Sequence, residues 1–130
     1  MSLSRALICL PFFIALGALG ACGSDGGPEL SPEAEAGRST MRSNGCASCH
    51  GANGQGGVGP AFAGLYGTQV ALEDGTTVTA DDEYLRRSIE EPGAQIVEGY
   101  RVPMPTNDLD ADEIDQIIAF IAAIGPEAAG

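Results

Sequence analysis

The 130-residue sequence contains no lysine and no tryptophan, and its only histidine is His50. All six cationic side chains are arginines, set against 18 acidic residues, for a formal net charge of −12. Phosphate binding needs clustered positive charge, so nucleic acid is excluded as a partner. Aromatic residues make up 5% of the chain, and no internal repeat is visible. The length suits one domain and not two. A domain this small is marginally stable unless something enlarges its core, and a large apolar cofactor would do so.

Long apolar runs are scarce too; the clearest is at the N-terminus. The stretch MSLSRALICLPFFIALGALGAC has one arginine, an apolar run and then small residues, which is the pattern of a secretory signal. An uncleaved transmembrane anchor is the alternative, but the run is at the short limit for spanning and holds Pro11, Gly17 and Gly20. Leu19-Gly20-Ala21-Cys22 resembles a bacterial lipobox. That resemblance implies cleavage before Cys22 and a diacylglycerol on the Cys22 sulfur. Both readings put the domain outside the cytoplasm and at a membrane. Cys9 would leave with the signal, so Cys46 and Cys49 would be the only protein thiols. GSDGGPEL, residues 23–30, is a flexible tether with an extended reach of roughly 28 Å. The expected organisation is a signal peptide over 1–21, a lipidated cysteine and tether over 22–30, a domain over 31–125 and a tail over 126–130.

The domain reads as mostly helical with long loops. Ser31 is a good N-cap, Pro32 fits the first helical position, and Glu33 and Glu35 suit the positive end of a helix. That helix should run to about Asn44 and end at Gly45. Gly37 and Met41 share a face. Gly37 either admits a closely crossing helix or merely weakens its own. HGANGQGGVGPAFAGLYG, residues 50–67, is too rich in glycine for regular structure and should be an ordered, functional loop. VALEDGTTVT, residues 70–79, alternates around Asp74-Gly75 and predicts a small hairpin. A helix follows, with Thr79 and Asp82 at capping-box spacing, Leu85 and Ile89 on one face, and Pro92 closing it. The strongest helix is capped by Asp110 with Glu113 three residues on. Ile114, Ile117, Ile118, Ile121 and Ile124 form its apolar stripe, and Gly125-Pro126 stops it.

GCASCH, residues 45–50, carries the chemistry. A disulfide between Cys46 and Cys49 would suit an oxidising compartment, but the redox-active form of CxxC belongs beside a βαβ pattern that this chain lacks. Zinc wants four ligands, and there is no second CxxC and no other histidine. CxxCH is the attachment signal for c-type haem. Two thiols one turn apart can add to the two vinyl groups of one haem, and the adjacent histidine then aims its imidazole at the iron. The second axial ligand of an electron carrier is usually Met or His. With His50 alone and no lysine, the inventory leaves Met41 and Met104. Met41 precedes Cys46 on a helix and reads as packing. Met104 stands between Pro103 and Pro105, which stiffen the loop; a surface methionine filling a gap is the bland alternative.

The stretch from Gly37 to Gly125 resembles a class I c-type cytochrome, most of all the cytochrome c domain fused to subunit II of some bacterial cytochrome c oxidases. The residues carrying the likeness are GCASCHG, GP at 59–60, GLYG at 64–67, LEDGTTVTADDEYLRRSIEEP, GY at 99–100, MP at 104–105 and IIAFIAAIG. The resemblance implies a class I cytochrome c fold: helices around one covalently bound haem, with a small β-hairpin insertion. It implies thioethers from Cys46 and Cys49 and axial ligands His50 and Met104. It implies that the Pro60 carbonyl accepts a hydrogen bond from the His50 ring. It also implies that Gly37 and Phe120 meet where the first and last helices cross. The oxidase subunit's copper-binding domain and membrane hairpin have no counterpart, and a lipid anchor takes their place.

The expected function is single-electron transfer by a lipid-anchored monohaem cytochrome c in a bacterial envelope, feeding a terminal oxidase. A fixed haem subunit of a quinol-oxidising complex is the alternative in the same class. A haem-based sensor or peroxidase-like protein, in which Met104 leaves the iron, is the alternative in another. The acidic surface either keeps a small protein soluble or steers docking to a basic partner.

Overall fold

The computed structural model describes residues 29–126. The expected signal peptide, Cys22, most of the expected tether and the last four residues lie outside the described residues.

Four helices and one hairpin make up the fold: α1 (Pro32–Ser43), α2 (Ala47–His50), β1 (Gln69–Ala71), β2 (Thr77–Thr79), α3 (Asp82–Glu90) and α4 (Ala111–Ala123). Each long helix starts at a cap that satisfies otherwise orphaned amides. Ser31 accepts from Ala34 N at the start of α1. At α4 Asp110 accepts from Glu113 N while Glu113 accepts from Asp110 N, which completes the expected capping box. The expectation for α3 needs correction. Its N-cap is Asp81, which accepts from Tyr84 N, and not Thr79. Thr79 pairs with Gln69 in the hairpin, and a residue held in a strand ladder cannot also cap a helix.

The helical frame is the crossing of α1 and α4. A Cβ placed on Gly37 would lie 1.8 Å from the Gln116 carbonyl oxygen. The two backbones are therefore in direct contact at Gly37, and the close-crossing reading of that glycine holds. The partner is the Gln116–Ile117 backbone; Phe120 packs beside the crossing, in a buried cluster with Ala34 and Met41. Thr40 Oγ1 also donates to Gln116 Oε1 at 3.2 Å across this interface.

The larger core lies on the other side of α4. Ile114, Ile117, Ile118 and Ile121 pack there with Tyr84, Leu85 and Ile89 of α3 and with Val70 and Leu72 of the hairpin. The predicted isoleucine stripe is buried except at Ile124, which is half-buried as the C-cap. Arg86 pairs with Asp115 across the exposed side of the α3–α4 contact. The hairpin is antiparallel with Val70 opposite Val78. Beyond it, Leu72 forms a bridge with Val97, so the chain after α3 lies along the hairpin almost as a third strand. Among the described residues, no helix is long and apolar enough to cross a membrane.

Candidate functional site

Gly45, at φ 78°, turns the chain out of α1 and into the cysteine motif. The CxxCH residues then form one helical turn, closed by His50 N donating to Cys46 O at 3.0 Å. One turn sets the two cysteines on neighbouring positions and points His50 inward; His50 is 8% exposed and, among the described residues, is the one polar or charged residue that is buried. Cys46 and Cys49 are not joined in a disulfide, so both sulfurs are available to a bound group.

The glycine-rich loop is built around His50. Gly56 N donates to His50 O at 2.8 Å, and Gly59 N donates to Cys49 O at 2.9 Å. The loop thus doubles back and delivers Pro60 to the ring, with His50 Nδ1 at 2.8 Å from the Pro60 carbonyl oxygen. A carbonyl can only accept, so Nδ1 carries the proton and Nε2 keeps its lone pair. Burial lowers the His50 pKa, partly offset by the Pro60 bond, which favours the neutral ring that a metal requires. Two further contacts fix the ring plane. Phe62 stacks on it with centroids 4.3 Å apart and planes at 18°. On the backbone side, a Cβ at Gly59 would fall 2.8 Å from His50 Cε1 and 3.0 Å from Nδ1. Only glycine leaves room for the imidazole there. The sequence displays Gly59 and Phe62 plainly, but nothing local marks either as a contact of His50.

Met104 arrives from the far end of the chain. It is half-buried between exposed Pro103 and Pro105. Upstream, the segment is tied to the hairpin: Glu73 N donates to Ile96 O and Glu98 N donates to Ala71 O, both at 2.9 Å. Downstream, Asn107 Nδ2 donates to Ile89 O at 2.8 Å. The hairpin therefore braces the approach to Met104, a role that its sequence does not reveal.

One cavity brings these groups together. Its lining includes Cys46, Cys49, His50, Pro60 and Met104. Leu85, Ile89, Val97, Ile117 and Ile121 supply apolar wall, and no Asp, Glu, Arg or Lys lines it. Met41 also reaches the lining, but it is fully buried against Ala34 and Phe120, as expected of a packing residue. The donor set fits haem: two thiols on one turn, an imidazole with a free Nε2, a thioether, and an apolar wall for the ring. Among the described residues, no three His, Cys, Asp or Glu side chains converge as a protein-only metal site would require.

Comparison with known proteins agrees. The cytochrome c family profile matches residues 34–125. The solved structure of cytochrome cH from Methylobacterium extorquens is similar at 25% identity and a TM-score of 0.52, covering 69% of this chain and 97% of that one. No curated protein matches the chain. The matched span runs from α1 through the cysteine turn to the end of α4, so the chain belongs to the cytochrome c family and is an electron-transfer protein of class I fold that carries one haem c bound covalently through Cys46 and Cys49.

Proposed function

We infer that this cytochrome is anchored to a bacterial membrane through Cys22 and carries single electrons in a respiratory chain toward a terminal oxidase, with His50 and Met104 as the axial ligands. The observation that supports this most is the convergence of His50 and Met104 on the cavity that holds the two cysteines. The haem iron supplies the chemistry, a one-electron exchange between Fe(III) and Fe(II).

The chain's own residues set the conditions for that exchange. Pro60 fixes the His50 tautomer and ring direction, the kind of outer contact that tunes a metal. Met104 offers a soft sulfur, and axial Met raises the potential. With both axial positions filled by protein, no position is left for a substrate. The apolar wall excludes water and so keeps reorganisation small. Val58 and Val102 are exposed at 54% and 60%, and both reach the cavity, so a partner can approach the cavity there over apolar side chains.

The lipid anchor rests on the Leu19–Cys22 sequence and the tether after it. The oxidase as acceptor rests on the likeness to the haem domain of oxidase subunit II and on the expected high potential. Cytochromes c of this family typically work outside the cytoplasm, as an exported lipoprotein would. The test is purification of the native protein in mild detergent. Co-purification with an oxidase that reoxidises the reduced cytochrome is the expected result. Recovery in a stoichiometric quinol-oxidising complex, with no oxidase present, would overturn the assignment of partner.

A further inference from the structure

Phe62 stands where three parts of the fold meet. It is half-buried, and among the described residues it is the one partly buried apolar residue that packs against both core clusters, the larger between α3 and α4 and the smaller at the α1–α4 crossing. Its backbone is held on both sides: Phe62 N donates to Gly54 O at 2.7 Å, and Leu65 N donates to Phe62 O at 3.0 Å. A Cβ at Gly54 would fall 3.0 Å from Phe62 Cβ, so the loop backbone closes on the side chain as well. A ring held in this way is a fixed surface, and it faces His50, with centroids 4.3 Å apart and planes at 18°.

Two properties of the His50 ring matter to a bound iron. One is which nitrogen is free, and the Pro60 carbonyl settles that by accepting from Nδ1. The other is the plane of the ring. A single hydrogen bond to a carbonyl leaves the plane room to turn, because the acceptor's directional preference is broad. Stacking does not, since turning one ring lifts it off the other and loses contact. A Cβ at Gly59 would stand 2.8 Å from His50 Cε1 and 3.1 Å from Nε2, so the Gly59 backbone closes the space on the Cε1 side.

The plane of an axial imidazole orients the half-filled d orbital of Fe(III) and so sets how unpaired electron density spreads over the haem. An imidazole bound through Nε2 also gives more electron density to Fe(III) than to Fe(II), and its ring is more positive in the oxidised protein. Phe62 presents the negative face of its own ring, which attracts positive charge. The stack therefore favours the oxidised state.

We propose that Phe62 is a positioning residue for electron transfer: its ring holds the plane of the His50 imidazole and lowers the midpoint potential. This deepens the reading given above and rests on ligation of the iron by His50.

The test uses the purified holoprotein with Phe62→Leu, Phe62→Tyr and Phe120→Leu. Leucine at 62 keeps an apolar side chain but has no face to stack, whereas tyrosine keeps the ring. Phe120 is buried in the smaller cluster and is not part of the cavity lining, so Phe120→Leu removes a core ring that does not face the haem. One readout is the set of haem methyl resonances in the proton NMR spectrum of the ferric protein, which report the imidazole plane. The other is the midpoint potential. Phe62→Leu should redistribute the methyl shifts and raise the potential, and Phe62→Tyr should stay with wild type in both. Phe120→Leu should lower thermal stability and leave both in place. If Phe62→Leu keeps the wild-type methyl pattern and potential, or if Phe62→Tyr or Phe120→Leu moves them as far as Phe62→Leu does, the proposal is overturned. Strongly shifted His50 ring protons in the wild-type spectrum report ligation separately. Their absence would overturn the ligation by His50 itself, whereas an unchanged methyl pattern with those protons present would overturn only the role of Phe62.

Discussion

Asn107 Nδ2 donates to the Ile89 carbonyl oxygen at 2.8 Å, joining the loop that carries Met104 to the end of α3. The bond does two jobs. It satisfies a carbonyl at a helix C-terminus, where intrahelical partners run out. It also fixes the chain three residues after the sulfur, while the Leu72–Val97 bridge fixes it upstream.

Asn107→Ala should therefore cost about 1 kcal/mol, the usual size of such a bond, and should loosen Met104 more than the rest of the molecule. In a denaturant titration followed at two wavelengths, the sulfur-to-iron band should fade before the haem Soret band shifts. Coincident transitions at wild-type stability would show that the loop holds itself.

Gly37→Ala should be among the most damaging small substitutions in the chain. The new methyl has to displace the Gln116 carbonyl, which it would approach to 1.8 Å, and overpacking of this kind typically costs about 1–3 kcal/mol or more. Half-buried Ala36→Gly, by contrast, should cost only about 1 kcal/mol through helix propensity. Thermal denaturation of the two holoproteins compares them directly.

Cys22→Ala should abolish lipid labelling in the native host and move the protein from the membrane fraction to the soluble one. Two acyl chains anchor stably where one binds marginally, so wild type should stay with the membrane at high salt. An unmodified Cys22 by mass spectrometry would contradict the anchor.

Sixteen acidic side chains lie between Glu29 and Asp115, and none lines the cavity. Such charges can steer a basic partner over a distance while the contact itself remains neutral. Electron transfer to that partner should slow as ionic strength rises, since the Debye length shrinks from about 30 Å at 0.01 M to about 8 Å at 0.15 M. A rate that is flat over that range would leave the acidic surface only its solubility role.

Local signals in the sequence were reliable where the structure is local. The caps Ser31 and Asp110, the isoleucine stripe of α4 and the one-turn spacing of Cys46, Cys49 and His50 each act within a few residues. The misplaced cap of α3 shows the limit, because Thr79 and Asp81 are both good caps and only pairing with Gln69 decides between them. The contacts that seat the site were harder to see. Phe62 stacking on His50, Asn107 reaching Ile89, and the hairpin bracing the Met104 segment all join residues whose neighbours in sequence give no hint of the partner. Pro60 was legible only through resemblance to a family.

The central claim is that Met104 completes the coordination of the haem iron. The most direct measurement is the far-red sulfur-to-iron absorption band of the oxidised protein, recorded with its midpoint potential in wild type, Met104→Ala and Met41→Leu. The account predicts the band in wild type and in Met41→Leu at similar potentials, since Met41 only packs and a like volume replaces it. In Met104→Ala the band should vanish, the potential should fall, and the reduced protein should bind carbon monoxide. A wild-type protein without the band, or a Met104→Ala variant that keeps it, would contradict the assignment.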